Sequence, residues 1–362
     1  MKYNIPDYIL SIKPYVPGKP LEELEREYGI KDAVKLASNE NPLGPSPKAA
    51  DAIRADIENL NRYPDSGGYE LIQSISKKFL LEPDTIVLGN GSDDIIALLS
   101  TVLLKPGDEV VLPQPSFLFY EISVRSVGAI PVWVPLKFHA MDLDGMIQKI
   151  TANTRLLFLN IPFNPTGAII TISEFERFMT AVPPDVIVVL DEAYIEFVRN
   201  PNCVHSIDYV KSGNNVVGIR TFSKVYGLAG LRIGYGVMTA ELSGLLNRVR
   251  QPFNVNSLAQ VAAVAALGDE DFINKTVQLV HAELDFLYSE LSRSGIDYIP
   301  TQANFFLINV GHQNADDIFN RLLKQGVIVR SMTSYGYPDY IRVNIGLHHE
   351  NVRFLEALTD VL

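Results

Sequence analysis

Between residues 85 and 238, short apolar runs alternate with stretches of helical periodicity. The runs at 85–88, 109–112, 130–134, 155–159, 186–190 and 216–219 are rich in Val, Ile and Leu. They lack a regular polar face, which is the pattern of strands covered on both sides. Helical patterns at 93–104 and 173–180 lie between them. This alternation predicts an α/β layer with a mostly parallel central sheet flanked by helices. After residue 239 the rhythm changes: one long helical stretch over 269–293 precedes strand patterns at 305–310 and 340–345, each followed by a helix pattern. A chain of 362 residues favours two cores over one. The expected division is an N-terminal segment 1–45 packing with the small domain, a large domain 46–245, and a small α+β domain 246–362. Pro6, Pro14, Pro17 and Pro20 argue against a regular helix at the start, so that segment is expected to lie across the body.

Composition narrows the partners. Lysine plus arginine number 31 against 42 aspartates plus glutamates, a net charge of −11. Such a surface repels phosphate backbones and anionic membranes, so neither nucleic acid nor membrane is an expected partner. A pocket for an anion must then be built locally, from a few arginines and backbone N–H groups. The single cysteine, Cys203, forms no intrachain disulfide and no cysteine-based metal site, which fits a reducing compartment. Lys2, Asp7 and Lys13 among the early prolines do not make a signal peptide. The apolar stretch 95–104 falls short of the roughly 18 residues of a membrane span and reads as a buried helix. A cytoplasmic protein without a metal is expected.

Four loops carry candidate chemistry. The run Thr221-Phe222-Ser223-Lys224-Val225-Tyr226-Gly227 follows an apolar strand pattern and leads to Arg232 and Gly234. A lysine at the end of a buried strand is costly unless its amine is shielded and used, and burial makes that amine a better nucleophile. The hydroxyls of Thr221 and Ser223, with the cation of Arg232, suit a phosphate. Asp191-Glu192-Ala193-Tyr194 follows another all-apolar strand, where α/β sheets bind ligands. Asp191 could keep a heteroaromatic nitrogen protonated, with Tyr194 reaching the same ring, or it could simply cap a turn. Asn160-Ile161-Pro162-Phe163-Asn164-Pro165-Thr166-Gly167 makes a rigid turn at the same sheet edge and aims Asn164 over the strand ends. Gly91-Ser92-Asp93 opens a helix, whose free N–H groups and dipole favour an anion. Ser92 could equally be a plain N-cap. The dinucleotide and nucleotide P-loop fingerprints are both incomplete there.

Together these residues resemble the fold-type-I pyridoxal-phosphate aminotransferases, over almost the whole chain. Ala37-Ser38-Asn39-Glu40-Asn41-Pro42, Arg62-Tyr63-Pro64-Asp65 and the run from Gln251 to Gln260 add to the likeness, the last being similar to the histidinol-phosphate aminotransferase branch in particular. The resemblance implies pyridoxal 5'-phosphate as cofactor, bonded covalently to Lys224. It implies Asp191 on the ring nitrogen, Tyr194 and Asn164 on the ring's phenolic oxygen, and Phe117 stacked on its face. Gly91, Ser92, Asp93, Thr221, Ser223 and Arg232 would surround the phosphate, with Tyr63 arriving from the second subunit of a homodimer. Arg330 and Arg342 would hold the anionic end of the substrate, with Tyr15 and Asn254 nearby. One guanidinium can accept phosphate or carboxylate, so histidinol phosphate and glutamate or 2-oxoglutarate could share it in turn. Ile161 and Phe163 stand where the family usually has Asn, and 116–119 is more apolar than the pattern expects. These departures leave two related activities open: transamination of aromatic amino acids, and decarboxylation of a phosphorylated amino acid such as threonine phosphate. A non-catalytic, cofactor-binding regulator would need an added DNA-binding module or a damaged site; no basic helix-turn-helix pattern precedes residue 40, and the set of site residues is complete.

Overall fold

A computed structural model describes residues 3–14 and 21–362. In chain order its strands are β1 (Val34–Lys35), β2 (Ile86–Gly89), β3 (Glu109–Gln114), β4 (Ile130–Pro135), β5 (Thr154–Asn160), β6 (Ile187–Asp191), β7 (Val216–Thr221), β8 (Gly234–Val237), β9 (Tyr298–Ile299), β10 (Phe305–Asn309), β11 (Val327–Ile328), β12 (Arg330–Ser331) and β13 (Tyr340–Asn344). Seven of them form one sheet in the order β2-β8-β7-β6-β5-β3-β4. Neighbours from β7 through β4 run parallel, while β8 is antiparallel to both β2 and β7. The mostly parallel sheet expected from the alternation is present. Pro131 and Pro135 sit on β4, at the sheet's edge, where a missing N–H breaks no ladder.

Alternate residues of the central strands enter two separate cores. Val110, Leu112, Leu156, Phe158, Val189 and Val217 face one side, and Val111, Leu157, Leu159, Val188, Leu190 and Val216 face the other. Covering both faces explains why these strands read as unbroken apolar runs. Each fully buried side chain of this kind stabilises the fold by about 1.5–3 kcal/mol. The helices Ser92–Leu103 and Ile172–Ala181 appear close to their expected positions, the first with Ile95, Ile96, Leu98 and Leu99 buried. The strand β8 was not foreseen, because Gly234 and Gly236 leave Tyr235 and Val237 as its only side chains. Those glycines let a helix approach: a Cβ on Gly234 would stand 2.5 Å from the backbone nitrogen of Ser92.

The C-terminal strands form an antiparallel sheet, β12-β13-β10-β9, next to the long helix Glu270–Arg293 and the final helix His348–Val361. Near the N-terminus, β1 pairs in parallel with β11, which ties residues 34–35 to this part of the chain. The early prolines do not exclude helix altogether. Asp7–Leu10 closes one turn behind Pro6, which sits at the N-cap, where no helical N–H is required. Pro17 and Pro20 lie outside the described residues. Cys203 is fully buried, and burial pushes its thiol up to about 12, so it is chemically inert. Among the described residues no helix is long and apolar enough to cross a membrane.

Candidate active site

Parallel pairing brings the carboxyl ends of β5, β6 and β7 to one edge of the large sheet, a usual place for ligands in such folds. Asn160, Asp191 and Thr221 are the last residues of those strands. With the loops that follow them and the start of the helix Ser92–Leu103, they enclose a cleft of about 230 Å³. Lys224, Asn164, Tyr194, Phe117 and Arg232 all line it.

Lys224 Nζ donates to the Ser38 carbonyl at 3.3 Å and lies 5.5 Å from the centre of the Tyr194 ring. Burial, with the nearby charge of Arg342, lowers its pKa to about 8, while Glu40 and Asp93 oppose the shift. The shift favours the neutral, nucleophilic form of the amine relative to an ordinary lysine. Asp191 is 4% exposed, and burial raises its pKa to about 6. The backbone N–H of Ala193 donates to its Oδ1 at 3.2 Å. The Tyr194 hydroxyl accepts from Asn39 Nδ2 at 3.0 Å, and its ring meets Phe305 edge-on at 4.9 Å. Asn164 is fixed from two sides: its backbone N–H donates to Asn160 Oδ1 at 2.7 Å, and its side-chain oxygen accepts from Arg342 Nη1 at 2.5 Å. With that oxygen engaged, the amide group has its N–H₂ donor to offer a ligand.

The other end of the cleft is built for an anion. Gly91, at φ 82° and ψ 169°, leads into the helix at Ser92. A Cβ on Gly91 would lie 2.4 Å from Arg232 Nη2, so only glycine leaves the guanidinium its place. Arg232 itself adopts φ 56° and reaches Asp93 Oδ2 at 3.3 Å and Ser223 Oγ at 3.4 Å. The hydroxyls of Thr221 and Ser223 lie 3.0 Å apart beside it. Hydroxyls, a guanidinium and a helix N-terminus converge here, with Asp93 holding Arg232 in position.

Other candidate residues fall elsewhere. Tyr63 is 83% exposed and stacks on Phe253 at 4.7 Å, away from this chain's own cleft. Asn254 does not line the cleft and donates to Asp94 Oδ2 at 2.7 Å and to the Leu88 carbonyl at 3.1 Å. Arg330 is the cross-strand partner of Arg342, so both side chains leave the sheet on one face. Tyr15 lies outside the described residues. One polar group in contact with Asp191 was missed: the Tyr120 hydroxyl donates to Asp191 Oδ2 at 2.5 Å. Its spacing, three residues after Phe117 at a helix start, was the available signal.

Residues 31–358 match the family described as aminotransferase class I and II. The chain belongs to that family. Among curated relatives, it is 46% identical over 355 residues to a protein named histidinol-phosphate aminotransferase from Moorella thermoacetica, covering 98% of this chain and 92% of the relative. It is 48% identical over 353 residues to histidinol-phosphate aminotransferase 2 of Carboxydothermus hydrogenoformans, covering 97% of each. Among solved structures, histidinol-phosphate aminotransferase from Sinorhizobium meliloti, in complex with pyridoxal-5'-phosphate, superposes with a TM-score of 0.90 at 28% identity. That match covers 98% of this chain and 96% of the other. The fold-type-I architecture expected from the resemblance is thus the aminotransferase fold observed.

Proposed function

We propose that this chain is a pyridoxal-phosphate-dependent histidinol-phosphate:2-oxoglutarate aminotransferase acting in histidine biosynthesis. The observation that carries the reading is that Lys224, Asp191 and Asn164 line one cleft, with Arg342 hydrogen-bonded to Asn164. The cofactor fits the groups present. The Gly91 cradle, Arg232, Thr221 and Ser223 suit its phosphate, Asp191 its ring nitrogen, and Asn164 with Tyr194 its phenolic oxygen. Phe117 supplies a flat apolar wall.

When bound, pyridoxal phosphate supplies an aldehyde that carries the amino group and a ring that withdraws electrons from the substrate carbon. The chain supplies the rest. Lys224 would hold the cofactor through its amine and, when free of it, could hold or move a proton at Nζ. Asp191 would sit against the ring nitrogen and favour positive charge there. Arg342 would bind the anionic end of each substrate; its charge adds to burial in lowering the Lys224 pKa, while at Tyr194 burial raises the pKa and Arg342 only opposes that shift. Arg330, beside it across the sheet, adds to the positive field at that face.

We further propose a cytoplasmic homodimer with shared active sites. In support, Tyr63 is exposed beside an apolar cavity of about 550 Å³ lined by Ala52, Val261 and Val264. A division of the chain into segment 1–45 and domains 46–245 and 246–362 accords with its separate large and small sheets.

The deciding experiment offers histidinol phosphate, phenylalanine, tyrosine and aspartate as amino donors with 2-oxoglutarate, alongside an assay for carbon dioxide from threonine phosphate. Histidinol phosphate should give the highest kcat/KM. Preference for an aromatic amino acid, or carbon dioxide release without amino transfer, would replace this substrate assignment.

A further inference from the structure

Tyr120 is a fully buried side chain behind the cleft, outside its wall. It sits on the first turn of the helix Leu118–Ser126, three residues after Phe117. Its ring stacks on Phe158 of β5 at 4.7 Å and 19°, and Phe117 meets it edge-on at 5.5 Å and 87°. One turn of chain therefore delivers two different parts: an apolar ring on the cleft wall and a hydroxyl that meets Asp191 Oδ2 at 2.5 Å.

The surroundings of Asp191 make that hydroxyl consequential. The carboxylate is buried, and the charges of Asp93, on the helix Ser92–Leu103, and of Glu192, its neighbour in sequence, favour its protonation. Tyr194 and Lys224 stand across the cleft, and Arg342 reaches the same space through Asn164. A protonated Asp191 would donate a hydrogen bond where it has to accept one, and could not hold a protonated ring nitrogen. Two donors oppose that outcome, the Tyr120 hydroxyl and the Ala193 N–H. The phenol is the stronger counterweight, since it is rigidly packed and its own ionisation is pushed well above the usual tyrosine range by burial and by Asp191. It therefore stays a donor at every working pH.

Resting on the pyridoxal-phosphate reading above, we propose that Tyr120 is a positioning residue that keeps Asp191 ionised and holds its carboxylate in place. Oδ2 accepts from Tyr120 and Oδ1 from the Ala193 amide, and each oxygen keeps a second lone pair. Simple core filling makes a different forecast: loss of the hydroxyl would change stability and leave the proton affinity of Asp191 as it is.

The test is pyridoxal phosphate binding, followed by fluorescence and absorbance from pH 5 to 9, in wild type, Tyr120→Phe and Asp191→Asn. Wild-type affinity should fall as pH drops through the Asp191 transition near 6. In Tyr120→Phe that midpoint should rise by roughly one to two pH units, weakening binding at pH 7 by up to about tenfold. Asp191→Asn should lose that transition. If Tyr120→Phe does not fold, 3-fluorotyrosine placed at position 120 keeps the shape, strengthens the donor, and should move the midpoint downward. An unchanged midpoint in a folded variant overturns the inference and leaves the cofactor assignment intact. Failure of wild type to bind pyridoxal phosphate at any pH overturns the cofactor assignment, and the inference with it.

Discussion

Arg342 and Asn164 stand 178 residues apart in the chain, yet Arg342 Nη1 donates to Asn164 Oδ1 at 2.5 Å while Nη2 holds the Ala37 carbonyl at 3.1 Å. One guanidinium thus links β13 of the small sheet, the loop after β5 of the large sheet, and the segment that follows β1. In the proposed site, substrate binding and cofactor orientation would share a residue.

Replacing that residue should therefore affect both substrates. Arg342→Ala removes charge-assisted hydrogen bonds of about 1.5–3 kcal/mol. KM for histidinol phosphate and for 2-oxoglutarate should each rise by roughly tenfold to a hundredfold. Steady-state kinetics of the two half-reactions would read this, and a change confined to one substrate contradicts a common clamp.

Lys224 predicts an inverse relation between function and apoprotein stability. Its folded pKa, about 8, lies below the ordinary lysine value of 10.5. From pH 8 to 10.5 the unfolded chain binds the extra proton, so this residue makes the folded state more stable as pH rises through that window. Below pH 8 its full cost is present. Lys224→Met should stabilise the apoprotein at pH 7 by about 1–3 kcal/mol and abolish turnover. Denaturation of both proteins at pH 7 and pH 10 should show the gap closing at the higher pH.

Gly91→Ala places a Cβ 2.4 Å from Arg232 Nη2, at a backbone conformation that is essentially reserved for glycine. The strain costs about 1–3 kcal/mol, and Arg232 must move away from Ser223. Faster cofactor release, with secondary structure unchanged by circular dichroism, is the expected result. Retention equal to wild type would remove Arg232 from the proposed phosphate site.

Glu192 follows Asp191 in sequence but performs no chemistry in the cleft. It is buried against Arg220 at 2.8 Å and accepts from the Ser206 hydroxyl at 2.8 Å and the Ser206 N–H at 2.5 Å. Arg220→Met leaves this carboxylate without its cation, which should destabilise the fold by about 3–5 kcal/mol. Arg220→Met with Glu192→Gln should recover much of that loss in chemical denaturation.

Much of this was legible beforehand. Strands buried on both faces have to be apolar throughout, so their sequence announced them. Lys224, Asp191 and Asn164 each stand at or just beyond the end of such a strand, and parallel pairing then places them at one edge. β8 was silent, because glycines chosen for the close approach of a helix carry no side-chain pattern. Tyr120 was hidden for a related reason: its hydroxyl lies within an aromatic run, and only the partner across the sheet shows which way it points.

Taken alone, the sequence determined the elements, their alternation and the chemical character of each loop, since local periodicity and turn chemistry are properties of neighbouring residues. Tertiary structure decided the rest. It set the strand order, paired Arg342 with Asn164, sent Asn254 to Asp94 instead of the cleft, and turned Tyr63 outward. Those outcomes depend on how distant segments pack and which buried polar groups find partners, and no short window of sequence contains both sides of such a contact.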